Sequence, residues 1–138
     1  MYLCMVMNEV LISIGSNENK DRNLAICHQL LDANFNSITY SDIQVTNPYG
    51  SNYKNDFINQ LAIINTNIDR VTLIEILKSI ERKLGRKSED KKDGIVKIDI
   101  DVIIWNNEII KPEDITRSYI KDLLPSLPVK DYTRYIIS

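Results

Sequence analysis

The sequence predicts an α+β fold, an antiparallel sheet with helices on one face, and three observations lead to this prediction. The chain has 138 residues, close to one ordinary domain, so we expect a single domain over residues 1–138. Apolar residues make up 43% and charged residues 26%, which is typical of globular proteins and excludes a disordered tail or a collagen-like rod. The apolar patterns follow the order β-α-β-β-α-β, for which a ferredoxin-like sandwich is the economical packing solution.

The first half of the chain predicts a strand, a helix and a second strand. Residues 10–14 are a short apolar run that a Gly-Ser-Asn turn ends. Residues 21–31 carry apolar side chains at three- and four-residue spacing, which predicts a helix. His28, the only histidine, lies on the apolar side of this helix and is interpreted as a packing residue. Residues 37–46 are β-branched and aromatic and predict a strand, which a loop over 47–52 follows.

The second half predicts a strand, a helix and a final strand. Residues 57–67 form a long alternating apolar run. Residues 71–84 form the clearest amphipathic helix, which Asp69 or Thr72 can cap and Gly85 ends. A charged loop over 86–93 leads to a strand over 95–104 and a turn over 105–108.

Charge and composition exclude several classes of protein. Seventeen basic and nineteen acidic side chains give a net charge of −2, so we expect no nucleic-acid partner, although a local basic patch is compatible with this balance. No stretch approaches the roughly 20 apolar residues that span a bilayer, and the apolar start lacks a basic leader, so we expect a cytoplasmic protein without a membrane partner. Cys4 and Cys27 are interpreted as buried thiols in a reducing compartment. We also expect a monomer.

Two aspartates on the last predicted strand are the most informative feature. Asp99 and Asp101 are two residues apart, so they share one face with Cα atoms roughly 6.6 Å apart. Two carboxylates this close can hold divalent cations, and Mg²⁺ prefers such oxygen ligands beside phosphates. The alternative is an ordinary solvated polar face. Under either interpretation, we expect the side chains of Asp99 and Asp101 to face solvent. The opposite face would supply the core residues Ile98, Ile100, Val102 and Ile104.

A cluster of basic residues precedes the two aspartates. A basic loop beside paired carboxylates suits a polyphosphate, although a plain solvated loop has the same composition. The basic residues are Arg86, Lys87, Lys91, Lys92 and Lys97.

An aromatic and an amide side chain share a face of another strand. Phe57 and Asn59 can stack a flat heterocycle and hydrogen-bond its edge, or they can be a core phenylalanine beside a surface asparagine. With one histidine and no neighbouring acid, the sequence indicates neither a nucleophilic triad nor a zinc site.

Together these segments resemble the 6-hydroxymethyl-7,8-dihydropterin pyrophosphokinases of folate biosynthesis. The resemblance covers about residues 8–117, with the motifs in the family's order, and residues 118–138 form a divergent C-terminal extension. The matching segments are residues 14–17, 46–50, 56–59, 80–86 and 98–102, the last followed by Asn107 and Glu108.

The resemblance implies a reaction and a role for each site residue. The reaction would transfer pyrophosphate from ATP to the pterin hydroxymethyl group and release AMP, with Asp99 and Asp101 binding two Mg²⁺ ions. Arg86 and Lys97 would be catalytic, and Arg86 would also contact ATP phosphate. The pterin would be bound by Thr46, Asn47, Pro48, Tyr49, Phe57 and Asn59. The adenine would be flanked by Val102, Ile115 and Thr116.

The chain departs from the family pattern at positions that handle ATP. The family usually has an arginine three residues before the first aspartate, where this chain has Val96 with Lys97 beside it. Asp93 replaces a loop aromatic, and Ser118 and Tyr119 replace a Pro-His pair. We therefore expect weakened ATP handling, because a lysine does not reproduce the bidentate fork of an arginine. A non-catalytic relative that binds pterin or nucleotide, and a ferredoxin-like module for protein contacts, are the alternative functions.

Overall fold

The strands and helices follow one another in the predicted order. In a computed structural model of the chain, residues 7–47 and 55–127 are described. The strands are β1 (Asn8–Ser16), β2 (Ser37–Thr46), β3 (Phe57–Thr66), β4 (Asp99–Trp105) and β5 (Glu108–Ile109). The helices are α1 (Lys20–Asn34), α2 (Arg70–Lys83), α3 (Pro112–Ile115) and α4 (Ser118–Leu123), with 3-10 turns at Ser88–Asp93 and Leu124–Ser126. The sheet is antiparallel in the order β2-β3-β1-β4-β5, which confirms the α+β, ferredoxin-like prediction.

The two long helices cover one face of the sheet, as predicted. Leu24 and Leu31 of α1 and Leu77 of α2 pack with strand residues such as Ile12 and Ile100 in one buried core. The α2 helix is capped at its N-terminus by Asp69, whose carboxylate accepts a 2.7 Å hydrogen bond from the Thr72 amide. Capping of this kind satisfies an amide that has no partner within the helix.

The other face of the sheet is also covered, which the sequence did not predict. Residues 112–127, here called the short-helix layer, pack on Leu11, Leu61 and Ile63, which are at most 1% exposed. The prediction of helices on one face is therefore correct only for α1 and α2. Both faces of β1 and β3 are apolar, and such strands are stable only when both faces are covered.

The last long strand differs from its prediction at both ends. It begins at Asp99 rather than Ile95, because Asn17 and Ser16 bind the backbone of Gly94, Val96 and Lys97. Its pairing with β1 shifts register beyond Val102. This bulge places Ile104 with the short-helix layer, so the prediction that Ile104 shares a face with Ile98, Ile100 and Val102 is wrong, although Ile104 is buried.

Two further observations concern the cysteines and the length of the helices. Cys27 is a buried free thiol, as predicted, whereas Cys4 lies outside the described residues. Within residues 7–47 and 55–127, none of the helices combines the length and apolar character needed to cross a membrane.

Candidate functional site

Sheet register brings the predicted site residues of two strands to either side of one glycine. Gly15 on β1 is paired with Asn59 on β3 and with Asp99 on β4. Strands in a sheet lie about 4.8 Å apart, so the backbones of Asn59 and Asp99 are about 10 Å apart, across a residue without a side chain. Two residues earlier in β1, Ser13 is paired with Asp101. The amide and the two carboxylates thus lie on one face of three adjacent strands.

A cavity of about 140 Å³, here called the central cavity, lies over the row that Asn59, Gly15 and Asp99 form across the three strands. Phe57, Asn59, Asp99 and Asp101 all line it, so the structure brings together the two groups of residues that the sequence had placed on separate strands. Its other lining residues are Ser13, Gly15, Val96, Asp114, Arg117 and Tyr119.

The amide of Asn59 is held in a defined orientation. Asn59 is 5% exposed, and its Nδ2 donates a 2.7 Å hydrogen bond to the hydroxyl oxygen of Thr46. A Cβ atom placed on Gly15 would lie 3.6 Å from Asn59 Oδ1, so the amide oxygen faces the space above Gly15. Asn47 is exposed, and the predicted residues Pro48 and Tyr49 lie outside the described part of the chain.

The two aspartates differ in their charge environment. Asp99 accepts a 2.6 Å hydrogen bond from Arg86, whereas Lys111 is 3.9 Å from Asp101. Partial burial acts to raise the pKa of Asp99, but the bond and charge of Arg86 outweigh it and hold this pKa below its ordinary value. Burial, followed by the charge of Asp99, raises the pKa of Asp101 to about 7. Their side chains are 37% and 22% exposed, so they are half-buried rather than fully solvated as expected.

This pair of carboxylates suits a cation that also binds phosphate. No group of three or more acidic, histidine or cysteine side chains in the described residues could enclose a metal. Mg²⁺ usually takes one or two carboxylates and completes its coordination with water and substrate phosphates. Burial raises the pKa of Asp101 first and the neighbouring charge of Asp99 raises it further, and a bound cation would neutralise that second contribution, so the residues present fit this ion.

Glu81 of α2 binds the backbone between the two aspartates and the arginine that pairs with Asp99. Its carboxylate is 4% exposed and accepts hydrogen bonds from the Ile100 amide at 2.7 Å and from Arg86 at 3.0 Å. Burial raises the pKa of Glu81, and these bonds oppose the rise. Because Ile100 lies between Asp99 and Asp101, the bond from its amide fixes that part of β4 against α2.

A second cavity of about 530 Å³, the loop cavity, lies on the other side of Asp99. It contains most of the predicted basic cluster, and Asp99 and Val96 line both cavities. Arg86 bonds Glu81 and Asp99 here, whereas Lys97 Nζ bonds the Gly85 carbonyl at 2.8 Å and lies 3.4 Å from Asp90. The charged residues that line the loop cavity are Lys78, Glu81, Arg82, Arg86, Lys87, Asp90, Lys91 and Asp99.

The three residues predicted to flank adenine do not lie together. Val102 belongs to the core under α1 and α2 and borders a cavity of about 210 Å³ that Asp101 and Lys111 also line. Ile115 is buried in the core of the opposite face, and the exposed Thr116 donates its hydroxyl to the Glu113 carbonyl. The structure therefore does not place the side chains of Val102 and Ile115 in one pocket.

Several residues of the central cavity were missed in the sequence. Alternation along β1 places Ser13 and Gly15 on one face, and this signal could have identified them. Asp114, Arg117 and Tyr119 come from the short-helix layer, whose short segments carry no periodic pattern long enough to predict their packing.

Comparison with known proteins identifies one family. Residues 11–130 match the model of the 7,8-dihydro-6-hydroxymethylpterin-pyrophosphokinases. A 2-amino-4-hydroxy-6-hydroxymethyldihydropteridine pyrophosphokinase of Haemophilus influenzae is 30% identical over 76% of this chain and 67% of its own length. The Helicobacter pylori protein of the same name is 29% identical over 78% and 69%, and the Bacillus subtilis one 30% over 75% and 60%.

Proposed function

Because this chain belongs to the 7,8-dihydro-6-hydroxymethylpterin-pyrophosphokinase family, we propose that it transfers pyrophosphate from ATP to 6-hydroxymethyl-7,8-dihydropterin in folate biosynthesis. The observation that carries this proposal is the row of Asn59, Gly15 and Asp99. In this proposal the space above Gly15, here called the slot, would hold the flat ring, directly beside the pair of carboxylates that suits Mg²⁺ and phosphate.

The pterin would lie above Gly15. Phe57 lines the slot and offers an aromatic surface for stacking. The Oδ1 atom of Asn59 faces the slot and can accept hydrogen bonds from the N–H groups on the pterin edge, because Thr46 already takes its Nδ2. We assign the supporting roles of Asn47, Pro48 and Tyr49 to the same pocket by family resemblance.

ATP would approach from the loop cavity. Asp99 lies at the boundary between the two cavities, and the basic residues of the loop cavity can attract and bind a triphosphate that reaches it. These residues are Lys78, Arg82, Arg86, Lys87 and Lys91. Asp99 and Asp101 would hold Mg²⁺, two ions in our proposal, which when bound neutralises charge on the phosphates. The catalytic role of Lys97 and the adenine contacts of Val102, Ile115 and Thr116 stay predictions.

The reaction is a displacement at the β-phosphorus of ATP. The hydroxymethyl oxygen of the pterin forms a bond to that phosphorus, the bond from it to the α,β-bridging oxygen breaks, and AMP leaves with the bridging oxygen. The hydroxyl proton passes to solvent. This chain contributes positioning: Asn59 and Phe57 hold the ring, Arg86 contacts the phosphates, and the two aspartates would hold the Mg²⁺ that neutralises phosphate charge.

The test is AMP release from ATP, Mg²⁺ and the hydroxymethyl pterin. We expect Asp99→Asn and Asp101→Asn to lower kcat at least a hundredfold, and Asp122→Asn, which changes a carboxylate remote from the cavities, to leave it unchanged. Calorimetric binding of pterin without AMP release would instead indicate a non-catalytic relative, and no binding at all a contact module. A cytoplasmic location, a monomeric state and the lack of a nucleic-acid partner also stay predictions.

A further inference from the structure

The central cavity has an unbalanced charge. Three carboxylates line it, from Asp99, Asp101 and Asp114, whereas Arg117 is the one basic residue in its described lining. A phosphate that reaches Asp99 and Asp101 adds negative charge to this side of the pair. A basic side chain on this side would act together with the proposed Mg²⁺ ions to balance that negative charge.

The two basic residues predicted to be catalytic, Arg86 and Lys97, make their contacts outside the central cavity. Arg86 bonds Glu81, the Ile98 carbonyl and Asp99 on the loop side. Lys97, which follows Val96, directs its ammonium group to the Gly85 carbonyl and to Asp90. Neither residue lines the central cavity.

Arg117 lies on the wall of the central cavity in a defined position. Its amide donates to the Asp114 carbonyl at 3.0 Å, and its carbonyl accepts from the Ile120 amide at 3.1 Å. Its Nε donates to Asp114 Oδ1 at 3.1 Å, so the carboxylate holds one edge of the guanidinium while the side chain is 39% exposed. Val96, the position at which the family pattern has an arginine, lines the same cavity.

We propose that Arg117 binds ATP phosphate and replaces, from the short-helix layer, the arginine that this chain lacks at position 96. The assignment rests on the proposed function. The planar guanidinium of an arginine can donate two parallel hydrogen bonds to two phosphate oxygens, whereas the ammonium group of a lysine cannot. Arg117 would supply this group from the short-helix layer, and the family pattern supplies it from the position of Val96. Asp114 acts as a positioning residue through its bond to Arg117 Nε.

The proposal is tested by titrating the protein with Mg²⁺ and an ATP analogue that has a methylene group between the α- and β-phosphorus. Arg117→Gln should weaken analogue binding roughly ten- to hundredfold, as expected for lost charge-assisted hydrogen bonds, and Arg117→Lys should weaken it less. Pterin affinity should be unchanged. Arg70→Gln, which changes an exposed arginine paired with Glu108, is the matched control and should bind the analogue normally.

A compensating variant makes the test stricter. Val96→Arg combined with Arg117→Gln should restore most of the analogue affinity, since both positions line one cavity. Normal analogue binding by Arg117→Gln, an equal loss of pterin affinity, or no recovery in the double variant would each overturn the proposal. Because the analogue is bound and not turned over, these results are separate from AMP release, which tests the proposed function itself.

Discussion

Asn59 and Asp99 are register partners of the same residue, Gly15, on its two sides in the sheet. The separation between the proposed ring slot and the proposed cation site is therefore fixed by backbone hydrogen bonds of β1, β3 and β4. Positioning that depends on a sheet is more precise than positioning that depends on loops.

Gly15→Val should fill the part of the central cavity above residue 15, where we propose that the pterin binds, without destabilising the fold. A Cβ at this position would lie 3.6 Å from Asn59 Oδ1 and 3.9 Å from Phe57 Cδ1, which are ordinary contacts, but the added methyl groups would extend into the central cavity. We expect pterin affinity, measured by calorimetry, to fall more than tenfold. The free energy of unfolding should stay equal or rise by about 0.5–1 kcal/mol, because glycine is unfavourable within a strand.

The control is Ile14→Val on the neighbouring residue, which is 1% exposed and faces α1 and α2. It should lower the free energy of unfolding by about 0.5–1.5 kcal/mol and leave pterin affinity unchanged. Unchanged pterin affinity in Gly15→Val would show that the ring does not bind above this residue.

Glu81→Ala should destabilise the protein by about 2–4 kcal/mol, measured by urea unfolding. The substitution removes the buried acceptor of the Ile100 amide and the partner of Arg86. Glu75→Ala on the same helix is the control, because Glu75 and Arg82 form a pair whose side chains are 69% and 63% exposed. Its cost should stay within about 0.5 kcal/mol. Equal costs for the two variants would contradict the bridging role of Glu81.

The stability of the metal-free protein should fall as pH rises from about 4 to about 7. In this window the folded chain keeps a proton on Asp101, whose pKa is raised to about 7, while the unfolded chain with its ordinary pKa of 3.8 has released it. Each step upward in pH therefore favours the unfolded chain. We expect urea unfolding in EDTA to show that the free energy of unfolding of Asp101→Asn, taken relative to that of the wild type, increases by about 1–3 kcal/mol from pH 5 to pH 8.

Asp42→Asn, which changes an exposed carboxylate remote from the cavities, is the control and should not alter this difference. Asp99 has the opposite sign, since its lowered pKa gives stability that is lost only below pH 3.8. Mg²⁺ should reduce the loss of stability at pH 8, because a bound cation favours the ionised pair. A variant that follows the wild type at every pH would show that Asp101 is not protonated in the folded chain.

Asn17→Ala should loosen the segment that precedes β4. Asn17 is 3% exposed, donates to the Gly94 carbonyl at 2.9 Å and accepts from the Val96 amide at 2.6 Å. Removing it leaves both backbone groups without these partners, at a cost of about 1–3 kcal/mol. Hydrogen exchange at the Val96 amide should accelerate, whereas Asn34→Ala, which breaks an exposed bond to the Leu30 carbonyl, should not affect it.

The sequence predicted best where a single rule decides the structure. Alternation was enough to place Asp99 and Asp101 together, and the stripe of leucine and isoleucine residues with its Asp69 cap was enough for α2. Alternation failed at Ile104, because a bulge inserts one residue and reverses which face every later side chain occupies. The start of β4 was missed because the side chains of Asn17 and Ser16, about 80 positions away, bind the backbone there.

The cation positions were less predictable than the carboxylates. Lys97 and Arg86 precede Asp99 by two and thirteen positions in the sequence. Their long side chains bind partners that only the folded chain brings near, such as the Gly85 carbonyl and Glu81. Arg117 lies sixteen positions after Asp101, yet it lines the same cavity because the short-helix layer folds back under the sheet.

The short-helix layer closes a core and walls a cavity at the same time. Tyr119 packs with Leu11 and Ile63 on one side, while it borders the central cavity together with Asp114 and Arg117 on the other. A small molecule that binds in the central cavity would therefore stabilise the packing of the short-helix layer against the sheet. Its arrival should then be visible as a higher melting temperature, so fragments can be screened by heating alone, before any assay of turnover exists.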